Sequence, residues 1–247
     1  VRFISFSAQG YVDTARRSEL ASTATIVNEK ISRLVRDALP GSVRVNGDQS
    51  CIEFIPIVGA SIYITAPFIS AGTSVVAVNL DSLLSTNGRL AIYPVPSSIN
   101  HLYDVTRNPG YISTNTITNA VGVPGADDIT FTFSGGASFQ FEKTSPQNRL
   151  YVVDQPNAFC QVGTQLFYYR NYGFVGDITN LAGSLPSAIP NRLLIATNVL
   201  ASSLRFSFQP ASLRRNALVA YELELQDDSN LAEPFVINQE VQVRNVP

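Results

Sequence analysis

Residues 11–39 contain neither glycine nor proline and are rich in Ala, Glu, Arg and Leu, a composition that predicts one long helix. Within it Leu20, Ala24, Val27, Ile31, Leu34 and Ala38 recur at alternating spacings of four and three. At about 100° per residue they share an arc of roughly 80°, and such a stripe needs an apolar surface to lie on. Glu29, Arg33 and Arg36 fall on the opposite side, where Glu29 with Arg33 and Arg33 with Asp37 are expected as i,i+4 ion pairs on a solvated face. Pro40-Gly41 ends the helix, because the residue before proline avoids the α region and glycine favours a C-terminal cap.

The stripe does not continue to the amino terminus. Extended backwards, its face would hold Arg17, Arg16 and Asp13. The helix is therefore expected to pack from Leu20 onward and to run on unpacked before it. Val1, Phe3, Ile4, Phe6 and Ala8 are apolar again but form no stripe, and Gly10 interrupts the run at a helix cost of about 1 kcal/mol relative to Ala. These residues are read either as the end of a longer apolar helix that starts upstream or as a short disordered terminus with scattered hydrophobics. The chain holds no Met, in keeping with processing or trimming, and no apolar run in it approaches the ~20 residues that span a bilayer.

After Gly41 the texture changes to short β-rich runs separated by Gly, Pro and Asn. Ile129–Phe133 and Ser138–Glu142 alternate around Gly135-Gly136 and read as a hairpin. Tyr221, Leu223 and Leu225 alternate with Glu222 and Glu224, as in an antiparallel strand with one wet face. One helix followed by strands predicts an α+β fold, with residues 1–40 as the helix and 41–247 as a β-rich head.

Charge and motifs narrow the function. Seventeen basic against nineteen acidic residues give a formal net charge of −2, which argues against a nucleic-acid partner. The lone His101 rules out multi-histidine metal sites; a Ser-His-Asp triad would have to use it, and no nucleophile elbow accompanies it. No phosphate-binding glycine motif occurs, and no cofactor is expected. Asp127-Asp128 and Asp227-Asp228 are either solvated turn carboxylates or, with backbone carbonyls, calcium ligands. Phe167 to Phe174 is an aromatic run in which Phe167 and Tyr169 share one strand face and Tyr168 and Arg170 the other. It serves either core packing or, through Tyr168, Tyr169 and Tyr172, recognition of a sugar or a neighbouring subunit. Cys51 and Cys160 are either separate buried thiols or one disulfide closing a loop of roughly 110 residues.

Several segments carry a resemblance. Thr14–Leu20 (TARRSEL) and Ile31–Val45 (ISRLVRDALPGSVRV) are similar to the helix-to-head junction of type IV pilins, within them minor pilins of the mannose-sensitive haemagglutinin type. Cys51–Ile57, Tyr151–Pro156 with Phe159-Cys160, and the ending Glu240–Pro247 fit the same family, whereas residues 79–125 carry little of it. The family's basic leader, cleavage site and assembly glutamate have no counterpart in these residues, so none is assigned here. The resemblance implies a non-catalytic subunit held in the inner membrane by an upstream helical segment. That subunit would pass from the periplasmic face into an extracellular filament, meeting other pilins through its helix and serving initiation or the tip. An extracytoplasmic location favours the disulfide. A type II secretion pseudopilin, a carbohydrate-binding adhesin subunit and a periplasmic hydrolase using His101 are the rival readings.

Overall fold

The computed structural model describes residues 2–79, 87–119, 127–211, 215–226 and 234–243, with the backbone alone at residues 2–9 and 119. Helix α1 (Arg2–Arg36) comes first, followed by β1 (Arg44–Val45), β2 (Cys51–Phe54), β3 (Ile57–Thr65), β4 (Ser74–Val78) and β5 (Arg89–Ala91). The single turn α2 (Asn100–Tyr103) leads to β6 (Ile117–Asn119), β7 (Asp128–Phe133), β8 (Arg149–Val153), β9 (Asn157–Val162) and β10 (Gln165–Tyr169). A second single turn, α3 (Leu181–Ser184), precedes β11 (Arg192–Ala196), β12 (Arg205–Gln209), β13 (Ala217–Leu225) and β14 (Phe235–Val243). The strands form three antiparallel sheets, ordered β1-β2-β9-β10-β11, β12-β13-β14 and β5-β8-β3-β4-β7-β6. The fold is α+β.

Helix α1 passes through Gly10 without a break and stops at Arg36, three residues before the expected Leu39. The early stop has a cause in the sheet. Ile57 N–H donates to the Asp37 carbonyl at 2.9 Å, Leu39 N–H donates to the Ile55 carbonyl at 2.7 Å, and Ala38 bridges Pro56. Residues 37–39 thus trade helical bonds for sheet-like ones. Gly41 then turns the chain at φ +76°, and a Cβ there would come within 2.9 Å of the Pro94 carbonyl oxygen, so only glycine fits without strain.

Two cores result. In the first, α1 packs against both the five-stranded and the three-stranded sheets: Val27, Ile31 and Val35 share one apolar cluster with Ile52, Phe54 and Phe159 of the former and Val219, Leu223 and Val241 of the latter. The alternation on β13 is as expected, with Tyr221, Leu223 and Leu225 buried and Glu222 exposed. In the second, the six-stranded sheet turns Val75, Ala77, Phe131, Phe133, Leu150 and Val152 inward against Phe139 and Phe141.

The expected hairpin at Gly135-Gly136 is not formed. Both glycines do have positive φ, but they close a 3-10 turn at Ser134–Gly136. β7 already has β4 on one edge and β6 on the other, so no edge remains for the returning chain. Residues 138–142 instead cross over, bridging Gly72 at Phe139 and Gly110 at Phe141. Their two rings meet edge-on at 4.9 Å and cap the aromatic core.

Candidate functional site

Helix α1 is the element whose geometry departs most from that of an ordinary globular helix, because only part of it is packed. Leu20 is the first buried side chain, and Ala24, Val27, Ile31, Val35 and Ala38 follow it into the core. Leu34, expected in the stripe, is only partly buried; Val35 takes its place. Before Leu20 the side chains from Gly10 onward are exposed except for a half-buried Arg16, with Tyr11 at 77% and Val12 at 59% exposure. At 1.5 Å per residue, Gly10 to Leu20 is about 15 Å of helix along which only Arg16 is half-buried, and the whole helix is about 52 Å long. The Thr14 hydroxyl donates to the Gly10 carbonyl at 2.8 Å, so a polar group on this free part is satisfied within the helix itself. Among the described residues no helix is long and apolar enough to cross a membrane.

The packed half is also pinned by polar contacts. The buried Tyr221 hydroxyl donates to Asn28 Oδ1 at 2.8 Å, and the Ser32 hydroxyl donates to the same oxygen at 3.2 Å. Burial pushes the Tyr221 phenol up to about 12. The expected Glu29–Arg33 and Arg33–Asp37 ion pairs are absent: the two ion pairs formed among the described residues are Arg44–Glu53 and Arg107–Glu142. The groups of the helix pairs are solvated, where such a contact contributes only about 0.3–0.5 kcal/mol and is easily given up to water.

The sheet under the helix is fastened on its far side. Ile52 and Phe54 face α1, so their neighbours on β2, Cys51 and Glu53, face away. Cys51 and Cys160 sit directly opposite in the β2–β9 ladder and form a disulfide. Glu53, fully buried, receives Arg44 Nε at 2.6 Å on one oxygen and the Tyr172 hydroxyl at 2.9 Å on the other. Arg44 also donates to the Gly176 carbonyl at 2.9 Å, to the Val175 carbonyl and to Asn100 Oδ1, and its guanidinium lies 3.5 Å over the Tyr103 ring. The Tyr103 hydroxyl in turn donates to the Ser42 carbonyl at 2.6 Å. Burial pushes the Glu53 carboxyl up in spite of Arg44 and Tyr172, and pushes the Tyr103 and Tyr172 phenols well above their ordinary value. One buried pair therefore ties β1, β2, α2 and the segment after β10 together.

Part of the aromatic run belongs to this fastening. Phe167 and Tyr169 are buried beside the disulfide; the half-buried Tyr168, on the other face, meets the Phe159 ring at 5.0 Å in a tilted arrangement, and the half-buried Tyr172 donates to Glu53. Of the three tyrosines named as a recognition surface, Tyr169 is buried, while Tyr168 and Tyr172 are half-buried and engaged with Phe159 and Glu53. His101 lies in α2 with its Nδ1 buried and without a hydrogen-bond partner. Asp127 and Asp128 are exposed, Asp227 and Asp228 fall outside the described residues, and no cluster of three metal-ligating side chains occurs among the described residues. Sequence reasoning missed Arg44, Glu53 and Asn28. Glu53 did carry a signal, as a lone carboxylate inside the apolar run Cys51–Ile57, where a charge survives only with a partner.

No family model, curated protein or solved structure matches this chain.

Proposed function

We propose that this chain is a minor pilin: a structural subunit of a type IV pilus of the mannose-sensitive haemagglutinin type, acting in initiation or at the tip, and not an enzyme. The observation that carries the reading is the half-packed helix. Its carboxyl half is sealed into the head from Leu20, while its amino half leaves Tyr11 and Val12 exposed. A helix that leaves apolar side chains in water on one half has a use for them when a second helix or a bilayer covers that half. The similarity of Thr14–Leu20 and Ile31–Val45 to the pilin junction points to the same partners, namely other pilin helices and, through a segment upstream, the inner membrane. The Cys51–Cys160 bond fits an oxidising compartment, the periplasm and then the cell exterior.

The test is cross-linking in the native host. A photoreactive residue at Val12 is expected to capture another filament subunit through its amino-terminal helix, and the same residue at the exposed Ile69, on the head, is expected to miss that helix. Capture of a secretion-system subunit at Val12 would assign the chain to a secretion piston. No capture at Val12, or a cytoplasmic location of the tagged protein, sinks the filament reading.

A further inference from the structure

β14 closes one side of the three-stranded sheet. β13 pairs with it along all nine residues, from Ala217 with Val243 to Leu225 with Phe235, without a register shift. Among the described residues, the other side of β14 has no strand beside it and no backbone hydrogen bond from elsewhere reaches it. Alternate N–H and C=O groups of a strand point to opposite sides, so roughly half of those on β14 face outward without a strand partner. Proteins usually blunt such an edge with proline, lysine, a bulge or a short strand. The sequence FVINQEVQV has no proline and no lysine, and the strand is long and regular.

The space along this edge is shaped. A groove of about 710 Å³ runs between β14, at Gln239 and Gln242, and the flank of α1 that carries Ile26, Lys30, Arg33 and Arg36. Glu29 and Asp37 also line it, so its charged side chains sum to +1 on a chain of net charge −2. None of these five charged groups makes an ion pair among the described residues. Ile26 is 50% exposed at the amino-terminal end of the groove. A helix lying beside an open sheet edge admits one extended strand and offers its side chains to every second residue of that strand.

We propose that β14 accepts an extended segment of a partner protein as a fourth strand of this sheet. The segment carries acidic side chains at alternate positions, opposite Lys30, Arg33 and Arg36, and an aliphatic side chain at the end that meets Ile26. Main-chain pairing supplies the affinity, and the cations on α1 select the sequence. The proposal stands on the edge and the groove and does not depend on the filament reading.

The probe is a labelled peptide of alternating valine and glutamate, about ten residues long to match the strand, titrated into the intact chain by fluorescence polarisation. Saturable binding is expected, with slowed amide exchange along Phe235–Val243. Arg33→Glu with Arg36→Glu, at two exposed positions, is expected to weaken binding by at least about tenfold with unchanged melting temperature. Two N-methylated peptides make the test independent of any variant's folding. Methylation of the residues whose N–H meets the edge abolishes binding, and methylation of the alternate set leaves it intact. Equal affinity for the two methylated peptides, no binding of the parent peptide, or no slowing at β14 overturns the proposal. So does concentration-dependent dimerisation that protects β14 without peptide, since the edge then serves a second copy of this chain.

Discussion

The two halves of α1 are one continuous helix with opposite surroundings. From Leu20 to Arg36 the helix presents Val27, Ile31 and Val35 to two sheets at once, all at 0% exposure. From Gly10 to Glu19 it presents a mixture of apolar and charged side chains to solvent. An isolated helix shorter than about 12–15 residues is marginal in water. The outer half is therefore helical because the inner half supplies the costly nucleus and each further residue needs only to propagate it. The stability of the molecule and the availability of its reach reside in different halves, and substitutions can separate them.

The largest expected effect tests the floor under the packed half. Glu53→Gln leaves Arg44 buried beside a neutral amide, which is expected to cost about 3–5 kcal/mol in urea unfolding. The carboxyl is pushed up by burial even with Arg44 against it, and replacing a buried ion pair by apolar side chains of similar volume is often neutral or stabilising. Arg44→Met combined with Glu53→Leu is accordingly expected to recover most of that loss. A double variant as weak as the single one would mean that the contacts of Arg44 with Val175 and Gly176 matter more than its charge partner.

Next in size is the contrast between the halves themselves. Ile31→Ala empties a fully buried site and is expected to cost about 3 kcal/mol. Tyr11→Ala, at 77% exposure, is expected to leave unfolding within about 0.5 kcal/mol of the parent while reducing cross-linking at Val12. Equal destabilisation by the two substitutions would break the division.

A smaller effect probes the polar pin. Tyr221→Phe removes the donor to Asn28 Oδ1 and is expected to cost about 1 kcal/mol near neutral pH. The phenol is held at about 12 in the fold against an ordinary value of 10.0. Above pH 10 the unfolded chain loses this proton first, so the stability it represents is intact below pH 10 and is lost as pH rises toward 12. Melting curves of the parent and of the Tyr221→Phe variant are expected to converge across that window; a constant gap would mean that the hydroxyl is not buried in solution.

Much of this arrangement was legible in the residues, and the misses have physical reasons. The stripe from Leu20 to Ala38 located the packed half because burial on a helix repeats every 3.6 residues. Leu34 and Val35 could not be told apart, since either keeps the stripe within about 80°; the choice depends on how the two sheets flank the helix. The Gly135-Gly136 turn was visible, but the partner of its second arm was not, because β6 takes the free edge of β7 from more distant sequence. Tyr168, Tyr169 and Tyr172 read as ambiguous because alternation says which residues share a face and not whether that face is covered. Arg44 and Glu53 pair over nine residues through strand register, which local pattern does not encode.

The smallest effect addresses why the outer half is helical at all. No atom lies within 4 Å of a Cβ added at Gly10, and its backbone is already helical. Gly10→Ala therefore removes the conformational freedom of glycine without a clash and is expected to favour the local helix by about 1 kcal/mol. Because this half can fray without unfolding the head, the gain should be visible as slower amide exchange around residues 8–16 and not as a higher global melting temperature. A rise in global stability instead would show that the outer half is coupled to the core, and that the free rod is held by contacts beyond its own backbone.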